Sequence, residues 1–475
     1  MPRSATVLLL YLGLAPAALA QERKPGDPVP LILSGAQLPT PSLKYCLALD
    51  RRELTPGNAA TLYYRAHAIF YENSALLKDF KGIHWSEWLE LPLDELPREE
   101  VRGKLSDARH ILREIEIAGR RRDCDWQLDG RDEGFALLLP EVQGYRTFAN
   151  VLAVKARLAI AEGHCGEAVD SLRSGLTLSR NIAQGPTLIH VLVGIACSQV
   201  LLTQYEELIQ QPDAPNLYWA LTVLPHPFID PRKAMVDETG WLETSLPFLK
   251  RLEGGPMTIS EIQEATASIR KMQSDLNLVA ASRLETLVQA AYIEAAQKEA
   301  RASLIKQGIK PDVVEAMPAF QVVSLFAYRE FRDTREEVLM WIQVPEGRKH
   351  PAFVEASKRH QRSAERLDRL FFRGLLGGLG SPAYEKVFQA AHRLERHLAT
   401  LRCVEALRLH AARHGRWPAK LDDLKDVPVP LDPVTGKPFE YKVRDGNHAL
   451  VSTPVPTGEM LPPSMTYTYV LTLRR

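Results

Sequence analysis

Cysteine is scarce in this sequence. Its five cysteines among 475 residues are Cys46, Cys124, Cys165, Cys197 and Cys403. An odd and sparse set is not the framework of a disulfide-rich domain, although one or two bridges stay open. Cys197 and Cys403 stand inside apolar helical patterns, which predicts two small buried hydrophobic side chains rather than reactive thiols.

An excess of charge of either sign is also missing. Fifty-nine basic residues stand against 58 acidic ones, which leaves a net charge of +1. Because a neutral chain has no global field that attracts a polyanion, we expect no nucleic-acid partner. The hydrophobic share of 45% and the charged share of 25% are those of an ordinary globular protein. The length allows about two to four domains.

Catalytic motifs are the third absence. The sequence contains no Gly-x-Ser-x-Gly elbow, no phosphate loop and no dinucleotide fingerprint. It therefore predicts no catalytic residue, no cofactor-binding residue, no metal ligand and no cofactor, although distant segments can still assemble an active site.

The first twenty residues have the pattern of a secretory signal peptide. Arg3 precedes an apolar run over residues 7–14, and Ala18-Leu19-Ala20 stands before a polar segment. The apolar run is too short to cross a bilayer, which needs about 20 such residues. We therefore expect a signal peptide over 1–20, a periplasmic or extracellular protein, and no transmembrane segment after signal removal.

Most of the remaining chain has helical periodicity. After Pro97, apolar residues recur at helical spacing until Gly119, where a helix would end. The apolar positions of this helix are Val101, Leu105, Ala108, Leu112 and Ile115. Residues 186–202 are apolar on nearly all sides, and the short length with His190 inside it predicts a helix buried in protein rather than in a membrane.

Small and apolar residues between positions 152 and 176 match the spacing of a tetratricopeptide (TPR) repeat. These residues are Leu152, Ala156, Gly163, Ala168, Leu172 and Gly175. Small side chains let two antiparallel helices pack closely, and Gly163-His164 would form the turn between them. The proline that usually ends the repeat is replaced by Arg180, so a plain helical hairpin and a true repeat unit both stay open.

The last eighty residues change from helical to strand patterning. Phe439, Tyr441 and Val443 alternate with charged residues, Asp445-Gly446 would form a hairpin turn, and two further strands are expected around 449–451 and 466–473. The segment from 413 to 452 resembles the globular end of the major pseudopilins of type II secretion systems. The matching positions are Gly415, Trp417, Pro418, Leu421, Leu424, Asp432, Pro433, Gly436, Pro438, Phe439 and Tyr441.

This resemblance covers under a tenth of the chain. It implies a helix that leads into a small sheet. The N-terminal membrane helix of that family, with its prepilin-peptidase site, is missing from this sequence, so assembly into a pilus is not implied. A second resemblance spans most of 51–345, where stretches at 55–60, 122–126 and 214–221 are similar to a group of uncharacterised exported bacterial α-helical, TPR-like proteins. It implies a fold and no activity.

Three polar features are candidate metal sites. An acidic cluster resembles the start of a calcium loop but lacks glycine at its sixth position and glutamate at its twelfth, which favours a solvated loop. His410 and His414 share a helix face, and dipole stabilisation by His414 is favoured over metal binding. Asp432 stands where pseudopilin loops can bind calcium, and an Asp-Pro turn is the favoured alternative. The acidic cluster comprises Asp123, Asp125, Asp129, Asp132 and Glu133.

An aromatic pair, Trp85 and Trp88, is spaced to line a groove, although core packing is the favoured interpretation. The sequence leaves open whether the segment at Asp432 binds calcium.

These patterns predict a mainly α-helical protein of stacked antiparallel hairpins, a TPR-like solenoid, with a small α+β cap at the C-terminus. The predicted segments are a signal peptide (1–20), an extended leader (21–50), a helical hairpin domain (51–255), a second helical region (256–380) and a helix with a small antiparallel sheet (381–475).

Stacked hairpins create extended surfaces suited to peptides and proteins. We therefore expect an exported, non-enzymatic scaffold or protein-binding module of the cell envelope, whose partner is a protein or peptide. Two alternatives stay open: an envelope hydrolase with its site between the helical body and the cap, and an accessory protein of a secretion system. The oligomeric state is not predicted.

Overall fold

The structure is a computed structural model that describes residues 27–72, 85–128, 130–134, 137, 139, 141–275, 283–344, 351–371, 381–455 and 466–474. The predicted signal peptide lies outside these residues. Helices dominate the described chain, and a small sheet accompanies them, so the expected mainly helical class with a small sheet is confirmed.

The helices carry most of the chain. In order they are α1 (Ala59–Glu72), α2 (Trp85–Glu90), α3 (Arg98–Asp107), α4 (Arg109–Ala118), α5 (Gly130–Glu133), α6 (Val142–Ala161), α7 (Cys165–Ile182), α8 (Leu188–Ile209), α9 (Tyr218–Thr222), α10 (Arg232–Thr239), α11 (Trp241–Ser245), α12 (Phe248–Arg251), α13 (Ile259–Asp275), α14 (Arg283–Lys306), α15 (Pro311–Ala316), α16 (Ala319–Gln343), α17 (Pro351–Phe371) and α18 (Ser381–His414).

The strands form two sheets. They are β1 (Val29–Leu33), β2 (Thr55–Asn58), β3 (Arg121–Asp123), β4 (Glu440–Val443), β5 (His448–Ser452) and β6 (Thr468–Leu473). The larger sheet has the order β1-β6-β5-β4, and β2 pairs with β3 in a short ladder.

The predicted hairpin is present as α6 and α7, and α8 packs against both. Gly163 takes a φ of 76° in the turn, a conformation that favours glycine. The helices approach closely because small residues face their neighbours: a Cβ added at Gly194 would lie 2.5 Å from the carbonyl oxygen of Ser179. Stacking of such hairpins into a solenoid is not established by this arrangement.

Helix α8 is the apolar helix that the sequence predicted to be buried. Among the described residues it alone is long and apolar enough to cross a bilayer, and 78% of its apolar window is buried inside the protein. Its first turn is capped by Thr187, whose side-chain oxygen accepts a hydrogen bond from the amide of His190 at 3.1 Å.

The C-terminal sheet differs from its prediction because it is mixed rather than antiparallel. Strand β1, inside the segment predicted as an extended leader, pairs in parallel with β6, with Val29 opposite Tyr469 and Leu33 opposite Leu473. Alternate side chains of β1 are buried, and Leu31 is 1% exposed. Pro30 is compatible with this position because β1 is an edge strand of the sheet.

Two hydrophobic cores organise the described chain. The main core joins β1, helices α1–α4 and α6–α10, α18 and the C-terminal sheet, so most of the predicted hairpin domain shares one interior with the predicted C-terminal segment. The second core is formed by residues between Leu242 and Phe331 together with Ala364–Phe371. Helix α16 contributes to both cores, since Phe331 belongs to the second and Val338 to the main core.

Candidate functional site

The acidic cluster does not assemble into a metal site among the described residues. Asp123 ends β3, and Asp125 accepts a hydrogen bond from the amide of Gln127 at 3.0 Å, which closes a local turn. Asp129 and the side chain of Asp132 lie outside the described part of the chain. Within that part, no three histidine, cysteine or acidic side chains come together as a metal-binding group.

His410 and His414 do share a face at the end of α18, with their ring centroids 4.2 Å apart. Burial, with the neighbouring His414 as a smaller cause, lowers the pKa of His410. His414 lies in the last turn, immediately before Gly415 with its φ of 67°. This geometry agrees with a helix-end role, where a cation complements the dipole.

Asp432 is an internal anchor. Its fully buried carboxylate accepts a hydrogen bond from Arg396 Nε at 2.8 Å, and from the amide and hydroxyl of Thr435 at 2.9 and 2.6 Å. The backbone closes the turn through a bond from the amide of Gly436 to the carbonyl of Asp432, at 2.8 Å. The carboxylate is engaged by the protein itself, which agrees with the Asp-Pro turn interpretation.

Trp85 and Trp88 line no groove. Both belong to α2, are buried in the main core, and contact each other edge to face with ring centroids 5.3 Å apart. The core interpretation of this pair is confirmed. The described cysteines are all free thiols, and burial raises the pKa of Cys197 and of Cys403 to about 12, as expected for unreactive core residues.

Sequence reasoning missed a set of buried polar side chains on α18. One cluster joins this helix to α8 and β6: His397 Nε2 lies 3.0 Å from Glu206 Oε1, and the hydroxyl of Tyr469 donates to the same oxygen at 2.6 Å. His397 Nδ1 lies 2.9 Å from Gln199 Oε1, and the ring stacks on Tyr467 at 4.5 Å. This cluster lies between the helical body and the sheet.

A second buried cluster lies about two to three turns further along α18. Arg408 and Glu405 form an ion pair at 3.0 Å with both side chains fully buried. The guanidinium also donates to the carbonyls of Ser34, Pro215 and Ala214, and the hydroxyl of Tyr205 donates to Glu405 at 2.8 Å. Arg408 therefore fastens the segment after β1 and the loop before α9 to one helix.

These clusters are poor candidates for catalysis. The side chains of His397 and Glu206 are each 4% exposed, and their polar atoms face protein partners. Substrate atoms cannot reach them without opening the main core. The sequence signal was the placement of Arg396, Glu405 and Arg408 within the apolar pattern of a long helix.

Accessible space is found on another face, where α3, α4, α6 and α7 border a surface groove. The larger of two cavities along it has a volume of about 520 Å³, and the smaller about 190 Å³. Glu116, Lys155 and Glu167 border both, so the two cavities are adjacent. Neither is lined by a residue of the C-terminal sheet.

The groove combines an apolar floor with a charged rim. The floor is formed by Leu105, Leu112, Leu158 and Ala159, which are buried parts of the main core. Six cations and four carboxylates line the two cavities. They are Arg102, Arg109, Arg113, Arg120, Lys155 and Arg173, and Glu116, Glu162, Glu167 and Asp170.

The two walls of the groove derive from patterns that the sequence shows. Helix α4 buries Leu112 and Ile115 and exposes Arg109 and Arg113, which is the amphipathic pattern predicted there, although Glu114 is buried as well. The predicted hairpin supplies the opposite wall through α6 and α7. What the sequence did not show is that these two elements lie side by side, because no local pattern records a contact between α4 and α7.

Comparisons with protein-family models, curated proteins and solved structures find no match to this chain. The groove and its electrostatics are therefore the basis for a functional hypothesis.

Proposed function

We propose that this chain is an exported, TPR-like helical module of the cell envelope that binds a protein or peptide partner in the groove between α4 and α7. The observation that carries the proposal is the groove itself, with its apolar floor at Leu158 and its charged rim. A groove of this chemistry buries apolar side chains of a ligand and orients them through polar contacts at the edge.

Export is part of the same proposal and rests on the signal pattern at residues 1–20. Mass spectrometry of the mature protein, purified from the periplasmic fraction, is expected to find an N-terminus at Gln21. A mature chain that keeps residues 1–20 in the cytosol would contradict this part. The pseudopilin-like segment is proposed to be a borrowed module that completes the sheet.

The location of the polar clusters supports binding over hydrolysis. A hydrolase site between the helical body and the sheet would use His397 and Glu206, and these side chains are enclosed by Gln199, Tyr467 and Tyr469. The groove, in contrast, offers exposed side chains to a partner.

The test is site-specific photocrosslinking in cells. A photoreactive amino acid at Ser106, an exposed position in the groove, is expected to give a discrete adduct. The same amino acid at Met340, which is 69% exposed outside the groove, is expected to give none.

Leu158→Arg in the groove floor should abolish the adduct at Ser106. Equal labelling from both positions, or labelling that survives Leu158→Arg, would contradict a docking role for the groove. Because Leu158 is also buried in the main core, circular dichroism is recorded on the variant, and the lost adduct supports groove binding only when the native helical spectrum is kept.

A further inference from the structure

Three arginines of α4 and of the turn that follows it border the groove. We call Arg109, Arg113 and Arg120 the arginine stripe. Arg109 and Arg113 are four residues apart and share one side of α4, and Arg120 follows two residues after the helix ends at Ala118. Arg109 and Arg113 border the larger cavity and Arg120 the smaller one, so the stripe runs the length of the groove.

The other cations of the groove already have carboxylate partners. Arg102 contacts both Glu99 and Glu162 at 2.5 Å. Lys155 contacts Glu116 at 2.6 Å, and Arg173 contacts Asp170 at 2.9 Å.

The arginine stripe lacks such partners within the described part of the chain. Arg109 donates from its Nη1 to the carbonyl of Ser106 at 3.2 Å, and no ion pair involves it, Arg113 or Arg120. All three side chains are exposed. The uncompensated positive charge of the groove is therefore concentrated on one wall, beside the apolar floor of Leu112 and Leu158.

We propose that the occupant of the groove is an acidic peptide segment, whose carboxylates pair with the arginine stripe and whose apolar side chains rest on the floor. This inference rests on the proposed function, because it names the ligand of the same groove. Planar guanidinium groups form two-pronged hydrogen bonds with carboxylates, which makes arginine well suited to such recognition.

The spacing of the stripe predicts the spacing of the acids. At about 1.5 Å per residue along a helix, Arg109 and Arg113 lie about 6 Å apart along the axis, and Arg113 and Arg120 about 10 Å. An extended peptide rises about 3.3 Å per residue, so these intervals correspond to about two residues and to three or four residues. Because successive side chains of an extended chain point to opposite sides, acids an even number of residues apart face the stripe together. The expected motif is therefore Glu-x-Glu-x-x-x-Glu, with apolar residues between the acids.

A nucleic acid fits the groove less well. Glu116, Glu162, Glu167 and Asp170 also line it, and they would repel a continuous phosphate backbone. A peptide places its few carboxylates opposite the arginines alone.

The test is fluorescence anisotropy with the purified mature chain and a labelled peptide of about eight residues, in which glutamates alternate with leucine and alanine in the expected spacing. Two matched peptides carry glutamine or lysine at the glutamate positions. The glutamate peptide is expected to bind about tenfold tighter than the glutamine peptide, and the difference should shrink as salt is added.

The variant that tests the stripe is Arg109→Gln, Arg113→Gln and Arg120→Gln combined. It should weaken binding of the glutamate peptide about tenfold and leave binding of the glutamine peptide unchanged. The control removes the same charge from exposed arginines outside the groove, as Arg122→Gln, Arg416→Gln and Arg444→Gln, and should keep the preference for glutamate.

Equal binding of the three peptides would overturn the acidic-ligand inference while leaving peptide binding intact. An oligonucleotide that binds tighter than the glutamate peptide, and competes with it, would overturn it as well. Failure of all three peptides, together with no crosslink at Ser106, would instead contradict the proposed function.

Discussion

Buried charges determine how individual residues of α18 contribute to stability. Arg396 and Asp432 are both fully buried, and the guanidinium also donates to the carbonyl of Pro454. A buried pair of this kind adds little stability over apolar residues of the same size, whereas removing one partner strands the other charge.

We therefore expect Asp432→Asn to lower the free energy of unfolding by about 3 to 5 kcal/mol, because Arg396 would keep its charge without a carboxylate. The measurement is urea denaturation followed by circular dichroism. Asp422→Asn, a change of the same type at an exposed position, should alter stability by about 0.5 kcal/mol or less.

The double variant Arg396→Met with Asp432→Asn should be more stable than Asp432→Asn alone, since no charge is then stranded. A double variant as unstable as the single one would show that the bonds from Thr435, rather than the ion pair, explain the loss.

Two buried histidines make stability depend on pH. Burial lowers the pKa of His190 and of His360 from 6.5 to about 4. Between these values the unfolded chain binds protons that the folded chain does not, so the free energy of unfolding falls as the pH drops from about 6.5 toward 4.

Each histidine is expected to lower the free energy of unfolding by about 1 to 2 kcal/mol when the pH falls from 7 to 5. Replacing both with glutamine should flatten this dependence in denaturation curves recorded at several pH values. Replacing His164, which is exposed, should leave the pH dependence of stability unchanged. An unchanged slope in the double variant would contradict the assignment.

At the scale of secondary-structure elements, sequence patterns predicted those elements that depend on contacts between neighbouring segments of the chain. The hairpin of α6 and α7 was predictable because Ala156 and Ala168 keep the helix spacing small and Gly163 permits the turn. Strand β1 was not predictable as part of the sheet, because its pairing with β6 links segments over four hundred residues apart. Its Pro30 also favoured an irregular leader.

The pleat of β1 yields a test within one strand. Leu31→Ala should lower the free energy of unfolding by about 2 to 4 kcal/mol, because this side chain is 1% exposed in the main core. Ile32→Ala, at its 50% exposed neighbour, should cost about 0.5 kcal/mol or less. The two variants are compared by thermal denaturation. Equal losses of stability would contradict the alternation of buried and exposed side chains along β1.

At the scale of the whole molecule, the two cores imply two units of local stability. Leu304 is fully buried in the second core and Leu201 in the main core. Regions with separate cores can open independently, which hydrogen exchange detects.

Leu304→Ala is expected to speed amide exchange mainly within 242–331, and Leu201→Ala mainly within 142–209, each by the equivalent of about 2 to 5 kcal/mol. Hydrogen-exchange mass spectrometry makes the comparison. Uniform acceleration across the described chain in both variants would show a single cooperative unit.

The groove was only half visible in the sequence. The charges of α4 and the small residues of the hairpin could be read from spacing. The positions of His414 at the end of α18 and of Asp432 in an Asp-Pro turn could be read in the same way. The contact between the walls and the burial of Arg396, His397, Glu405 and Arg408 arise from packing between distant segments, which periodicity does not encode.

The parallel pairing of β1 with β6 also imposes an order of events on synthesis. Val29 leaves the ribosome long before Tyr469 is synthesised. The apolar side chains of β1 therefore lack their partner strand β6 while the helices between them are made. The sheet can form completely only after translation has passed Leu473. For most of its synthesis the nascent chain therefore lacks the β1–β6 pairing.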